Sequence, residues 1–268
     1  MAMTLEGGCR VSDMREGVPV VNGTLRIWNR IGRATGAQAI SLRIMEFAPG
    51  LSPGIRNDEG DEILYVLGCW ERGHPVRLSE HGERKLAQVF IDGQSYDVDP
   101  DTGSYLRPRE TFAIDNPSPD SIIIVSCRCP EPASIQEFVT PVTTPSALTS
   151  PDRPPLVRLA DRPAQPTADR WYRVLVDDEV GSTQATQFVG SIPPGRAPDH
   201  FHKYEEVLFI LRGEGRMWAG ETNTPISPGS CIYLPKGQVH CVENTGSDEL
   251  RLLGVFYPAG SPSVRYEA

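Results

Sequence analysis

Three side chains of one parity stand just ahead of an apolar run, and they constrain this chain more than any other feature. His200, His202 and Glu206 lie in PGRAPDHFHKYEEVLFILRGEG, residues 194–215. Alternate side chains of extended backbone share a face, so two imidazoles and a carboxylate can converge on one side. The run VLFIL is β-branched and aromatic enough for a buried strand, and Arg212-Gly213-Glu214-Gly215 supplies the turn after it. A second stretch, GSCIYLPKGQVHCVEN over residues 229–244, reads as another apolar strand broken at Pro235-Lys236-Gly237, after which His240 opens a further strand. A third imidazole thus arrives from elsewhere in the sheet. Glu205 is the rival carboxylate; parity selects Glu206 and leaves Glu205 outward and solvated.

These spacings resemble the two signature motifs of the cupin superfamily. Gly195, His200, His202, Glu206 and Gly213 meet the first, with four residues instead of the usual five between Gly195 and His200. Gly229, Pro235, Gly237, His240 and Asn244 meet the second in full. Five such fixed residues recur by chance roughly once per million starting positions at ordinary composition. The resemblance implies a small antiparallel barrel or jelly roll holding one divalent transition metal through His200, His202, Glu206 and His240. Neutral imidazole plus carboxylate suits Fe(II), which is favoured, and equally Mn, Ni, Cu, Co or Zn. Tyr204 shares the parity of His202 and Glu206, so a regular strand would put its hydroxyl beside the metal in a catalytic or substrate-binding role. Cys231 is a further neighbour to consider, whereas Cys241 should face away. Phe188, Trp218 and Phe256 are candidates for the pocket wall, and Asn244 and the motif glycines for turn backbone.

The motif region is also half of an internal repeat. GAQAISLRIMEFAPG, residues 36–50, aligns without gaps with GSTQATQFVGSIPPG, residues 181–195, and EILYVL from Glu62 answers EVLFIL from Glu206. The expected fold is therefore all-β, two cupin-type barrels in one chain: an N-terminal barrel over 1–130, a Pro-rich linker over 131–168 and a metal-binding barrel over 169–268. The first copy lacks the imidazoles. Ile55-Arg56-Asn57-Asp58 stands for His-x-His, Phe112 or Ala113 stands for His240, and Asp61 or Glu62 is the one carboxylate left. A single carboxylate does not hold a transition metal, so this barrel is expected to be metal-free and to serve packing, dimer formation or cover of the active barrel. Glu62 lies 46 residues before Pro108, against 29 between Glu206 and Pro235, an excess of 17. That insertion carries His74 and His81 and reads equally as a solvated hairpin extension or as an arm reaching to a neighbouring subunit. In the linker, SIQEFV is a candidate turn of helix.

A net charge of −9 and basic residues scattered without a patch work against nucleic-acid binding. Neither a signal-peptide core nor a membrane-length apolar run appears, so a cytoplasmic location without membrane attachment is expected. The six cysteines are scattered, and Cys127 and Cys129 read as buried thiols, not as half of a zinc site. The implied partner is a small molecule, with a homodimer allowed. The first function implied by the ligand set is a non-haem iron dioxygenase acting on a small oxygenated or aromatic compound. The alternatives are a non-redox isomerase, lyase or epimerase, and a binding cupin without turnover.

Overall fold

The structure, a computed structural model, describes residues 1–71, 74–76, 87–133, 137–145, 155–167 and 169–263. Among them the regular elements are antiparallel strands and a few short 3-10 turns, and four sheets form two barrels.

The second barrel pairs a large sheet with a small one. In the large sheet Ser230–Leu234, Glu205–Arg212, Leu250–Tyr257, Thr186–Ile192 and Arg170–Val176 are consecutive neighbours; the small sheet joins Gly195–Arg196, His240–Asn244, Gly215–Ala219 and Thr222–Ile226. The first barrel repeats this plan, with Thr102–Leu106, Asp61–Glu71, Ile122–Cys129, Ser41–Phe47 and Leu25–Ile31 adjacent in its large sheet. Asn244 and Asn116 play the same part in the two copies. Each side-chain amide donates to a strand-end carbonyl, Ile192 or Phe47, and to a turn carbonyl, Asp248 or Asp120.

Strand alternation places the cores. Leu208 and Ile210 pack inside the second barrel, while Val207, Phe209 and Leu211 join a cluster that also contains Ile63, Tyr65 and Leu67 of the first. Leu64 and Val66 turn the other way, into the first barrel's own core. The two large sheets therefore stand back to back on a shared apolar layer, and both faces of each central strand are buried. This explains the continuous apolar runs in the sequence.

Two segments depart from the expected division of the chain. Arg10–Asp13 pairs antiparallel with Ser230–Leu234, so the N-terminus completes a sheet of the second barrel. The segment expected to be a linker contributes strands: Glu137–Val139 pairs with Gly54–Arg56, and Leu156–Arg158 with Thr102–Leu106. Its prolines leave short stretches that suffice for edge pairing, where a missing donor costs little. The helical turn expected at SIQEFV is a strand over its last three residues, and 134–136 lie outside the described residues. In the insertion, His74–Val76 pairs with Asp61–Glu71; the rest of it, with His81, also lies outside. No helix among the described residues is long and apolar enough to cross a membrane.

Candidate metal centre

His200 and His240 are bound to each other through their backbones: the His240 amide donates to the His200 carbonyl at 2.8 Å and the His200 amide to the His240 carbonyl at 3.1 Å. The turn at Pro235-Lys236-Gly237 reaches back, and the Gly237 amide donates to the His202 carbonyl at 2.8 Å. These contacts gather three imidazoles, and one ring nitrogen from each lies within 4.8 Å of the others. Glu206 points into the same space, with its Oε2 3.5 Å from His202 Nε2 and 3.8 Å from His240 Nε2. His202, Glu206 and His240 are buried and His200 is half-buried.

The tautomers suit the cluster. His200 Nδ1 lies 3.0 Å from the Pro198 carbonyl and His240 Nδ1 2.8 Å from the Gln238 carbonyl. A carbonyl only accepts, so each Nδ1 carries the proton and each Nε2 offers a lone pair. Burial pushes the Glu206 carboxyl up to about 8. Burial, together with the neighbouring His200 and His202, pushes His240 down to about 3. Convergent lone pairs and a buried carboxylate with no guanidinium or ammonium in ion-pair contact among the described residues fit a divalent cation.

Around the cluster is a cavity of about 90 Å³, walled by Phe188, Ile192, Leu208, Val242, Leu252 and Phe256. This is well below the roughly 300 Å³ at which drug-sized ligand sites begin, so the space suits a small molecule. Among the described residues one cationic side chain lines it, Arg170, which is 12% exposed and donates through Nε to Asp169 at 2.9 Å.

Not every expected neighbour is present. The Tyr204 hydroxyl donates to the Ser261 carbonyl at 3.3 Å, and Tyr204 is absent from the cavity wall. Backbone parity fails because the chain bends at residues 203–204 and the regular strand begins at Glu205. The Tyr204 ring instead stacks on His202, with centroids 4.9 Å apart and planes 11° from parallel. Cys231 packs between the barrels, away from the cluster. Cys241 faces away as expected, with its sulfur 3.2 Å from Arg196 Nε. Trp218 lies under Arg196 and donates to Glu243, so it does not line the cavity, whereas Phe188 and Phe256 do. Cys127 and Cys129 are buried free thiols.

Residues 188–256, which contain the whole cluster, match the family described as Cupin domain. Two solved structures share the two-barrel fold. An oxalate decarboxylase from Bacillus subtilis has a TM-score of 0.70 and 15% identity, covering 94% of this chain and 78% of its own. A protein from Pseudomonas aeruginosa described as glyoxylate-induced also has a TM-score of 0.70 and 15% identity, covering 97% and 93%. Residues 188–256 thus form a cupin domain. The chain as a whole has a two-barrel, bicupin-like fold with complete motifs only in its C-terminal barrel. Among curated relatives, the oxalate-binding protein of Thermotoga maritima is 36% identical over 67 residues, 24% of this chain and 54% of that protein. Auxin-binding protein 1 of Arabidopsis thaliana is 34% identical over 70 residues, 23% of this chain and 35% of that protein. The chain thus spans about half or less of these relatives.

The first barrel has filled its centre differently. Arg43 stands where the repeat places Phe188, and it donates to Ser126 at 2.9 Å and to Glu62, which also accepts from Ser126 at 2.7 Å. Ile55 and Phe112 fill space where the second barrel has imidazoles. Sequence reasoning missed Arg43 and Arg170. Arg43 was visible as a charged residue at an inward repeat position, but Arg170 carries no local signal.

Proposed function

We propose that the second barrel is the active site of a metal-dependent oxidoreductase of dioxygenase type, acting on a small organic acid. His200, His202, Glu206 and His240 would hold one divalent transition metal, with iron favoured. Such a metal, when bound, supplies Lewis acidity and redox reactivity toward dioxygen, with coordination positions left for substrate.

The observation that carries this reading is the composition of the cavity wall. Outside the four expected ligands, the described wall contains no carboxylate, lysine or imidazole, and the Tyr172 hydroxyl is committed to Gln165 Oε1 at 2.8 Å. Isomerase and lyase chemistry calls for a base within reach of the substrate, and among the described wall residues none stands beside the expected ligands. The apolar residues exclude water and leave orientation to Arg170, whose planar guanidinium suits a carboxylate. Small carboxylates also figure in the names of the oxalate-binding and oxalate decarboxylase relatives. The stacked Tyr204 ring and the carbonyls of Pro198 and Gln238 keep the three imidazoles oriented.

The test is metal analysis of protein purified without added metal, followed by oxygen-electrode assays of the Fe(II)-loaded chain with 2-oxo acids, hydroxy acids, dicarboxylates and phenols. Substrate-dependent oxygen uptake that disappears in His240→Ala is the expected result. Turnover of an acid without oxygen uptake would move the assignment to a non-redox enzyme, and binding without turnover to a carrier.

A further inference from the structure

Glu205 and Glu206 are consecutive on the strand Glu205–Arg212, so their side chains leave it on opposite faces. Glu206 enters the cavity. Glu205 enters the layer between the barrels, where it is 6% exposed, in place of the solvated position its charge suggests. Both of its oxygens are engaged by the other barrel: the Gln38 amide donates to Oε1 at 2.7 Å and the Ala39 amide to Oε2 at 2.7 Å. The Tyr233 hydroxyl, from the neighbouring strand Ser230–Leu234, also donates to Oε1. Hydrogen bonds to an ionised acceptor are roughly twice as strong as neutral ones.

The donors are fixed points. Gln38 and Ala39 lie between the turn closed by Gly36 and the strand Ser41–Phe47, which is paired along its whole length with Ile122–Cys129. On the receiving side, Glu205 is the first residue of its strand, directly after the bend at residues 203–204. Strand pairing alone restrains a first residue weakly, and a metal site tolerates errors of only about 0.5 Å in its ligands. The carboxylate of Glu205 therefore sits where an external anchor has most effect on the residue after it.

We propose that Glu205 is a positioning residue: its capture by the Gln38 and Ala39 amides of the first barrel fixes the backbone of Glu206 and so sets the metal affinity of the second. This rests on the reading of Glu206 as a metal ligand. It gives the barrel that lacks the motif imidazoles a role at the metal centre of the other, exerted through two backbone amides.

The experiment compares the full parent chain with Glu205→Gln, Tyr233→Phe and Phe209→Ala. Metal affinity is measured by competition with a chromophoric chelator, the ligand field by the visible spectrum of the Co(II)-loaded protein, and stability by thermal melting. Glu205→Gln places an amide NH2 group against one of the two backbone N–H donors, and is expected to weaken metal binding about 10-fold to 100-fold, the range for residues that orient a metal ligand, and to alter the Co(II) spectrum. Tyr233→Phe keeps both amides in place and should weaken binding a few-fold. Phe209→Ala damages the same layer without touching Glu205 and should lower the melting temperature with affinity within about 3-fold of the parent. An affinity within 2-fold of the parent and an unchanged Co(II) spectrum in Glu205→Gln, at temperatures where it is folded, overturn the proposal, because Glu205 is then only an interface contact. If Glu205→Gln does not fold, Tyr233→Phe decides by the same two readouts. A parent chain that binds no metal overturns the metal reading itself, and that result is visible before any substitution is made.

Discussion

Arg43 and Arg128 occupy, in the first barrel, the cross-strand places that Phe188 and Phe256 hold in the second. The registers make the exchange explicit: Arg43 lies opposite Ser126 as Phe188 lies opposite Gly254, and Arg128 lies opposite Glu62 as Phe256 lies opposite Glu206. Where the second barrel sets two aromatic rings 4.9 Å apart against a carboxylate among imidazoles, the first sets two guanidinium groups around Glu62. Burial pushes Arg128 down to about 10, with nearby Arg43 acting in the same direction. The positive charge beside Glu62 is thus built into the chain. Arg43 is the guanidinium in ion-pair contact with the buried Glu62, so Arg43→Met, which leaves Arg128 and the Ser126 hydroxyl as its remaining compensation, is expected to cost about 3–5 kcal/mol in urea unfolding, and adding Glu62→Leu should recover most of that loss. A cost below about 1 kcal/mol for Arg43→Met would show that Glu62 finds other compensation. At the cavity, Arg170→Met should raise KM for an acid substrate at least 10-fold while metal content stays at the parent level, as checked by steady-state kinetics beside metal analysis. The convergence of His200, His202, Glu206 and His240 was legible because their spacing is itself the signal. Glu205 was not, since parity states which face a side chain leaves by and says nothing of what covers that face.

At the scale of elements, the strand Glu205–Arg212 connects the two functions of the second barrel. Its even positions furnish the site and its core, and its odd positions the contact with the first barrel. Phe209 is fully buried there, with Trp70 of the first barrel packed edge-on against it at 5.7 Å between centroids. Phe209→Ala should therefore cost about 3–5 kcal/mol in chemical denaturation, the range for emptying a large aromatic site. A cost near 1 kcal/mol would mean that the layer between the sheets closes over the gap. The run VLFIL announced a strand buried on both faces, and the repeat announced a second sheet, yet neither indicated that the sheets stand back to back. The edge strands were less legible still. Leu156–Arg158 is three residues long, preceded by two prolines and followed at once by a 3-10 turn, so its pairing comes from the open edge of Thr102–Leu106 and not from a pattern of its own.

For the whole molecule, the N-terminal arm settles whether the barrels are separable. Residues 1–14 begin the chain but end in the second barrel's sheet, and Leu5, Cys9, Val11 and Met14 are buried. No local pattern could place this arm, because its partner strand lies more than two hundred residues away in sequence. Deleting it removes four buried apolar side chains at roughly 1.5–3 kcal/mol each, an upper estimate for a chain whose unfolded state is already partly compact. At about 2–4 °C per kcal/mol, the melting temperature should fall by roughly 10 °C or more. The arm and the shared apolar layer tie each barrel's fate to the other's. Calorimetry of the full chain should accordingly give one transition, with the calorimetric enthalpy equal to the van't Hoff value. Metal extends the same argument. A cation held at about 100 times its dissociation constant adds roughly 2.7 kcal/mol to the folded state, and in a coupled molecule that increment must move the entire transition upward, including the half with no imidazole cluster. Two transitions, of which metal shifts one, would show that the barrels melt independently and that the first contributes no restraint to the second.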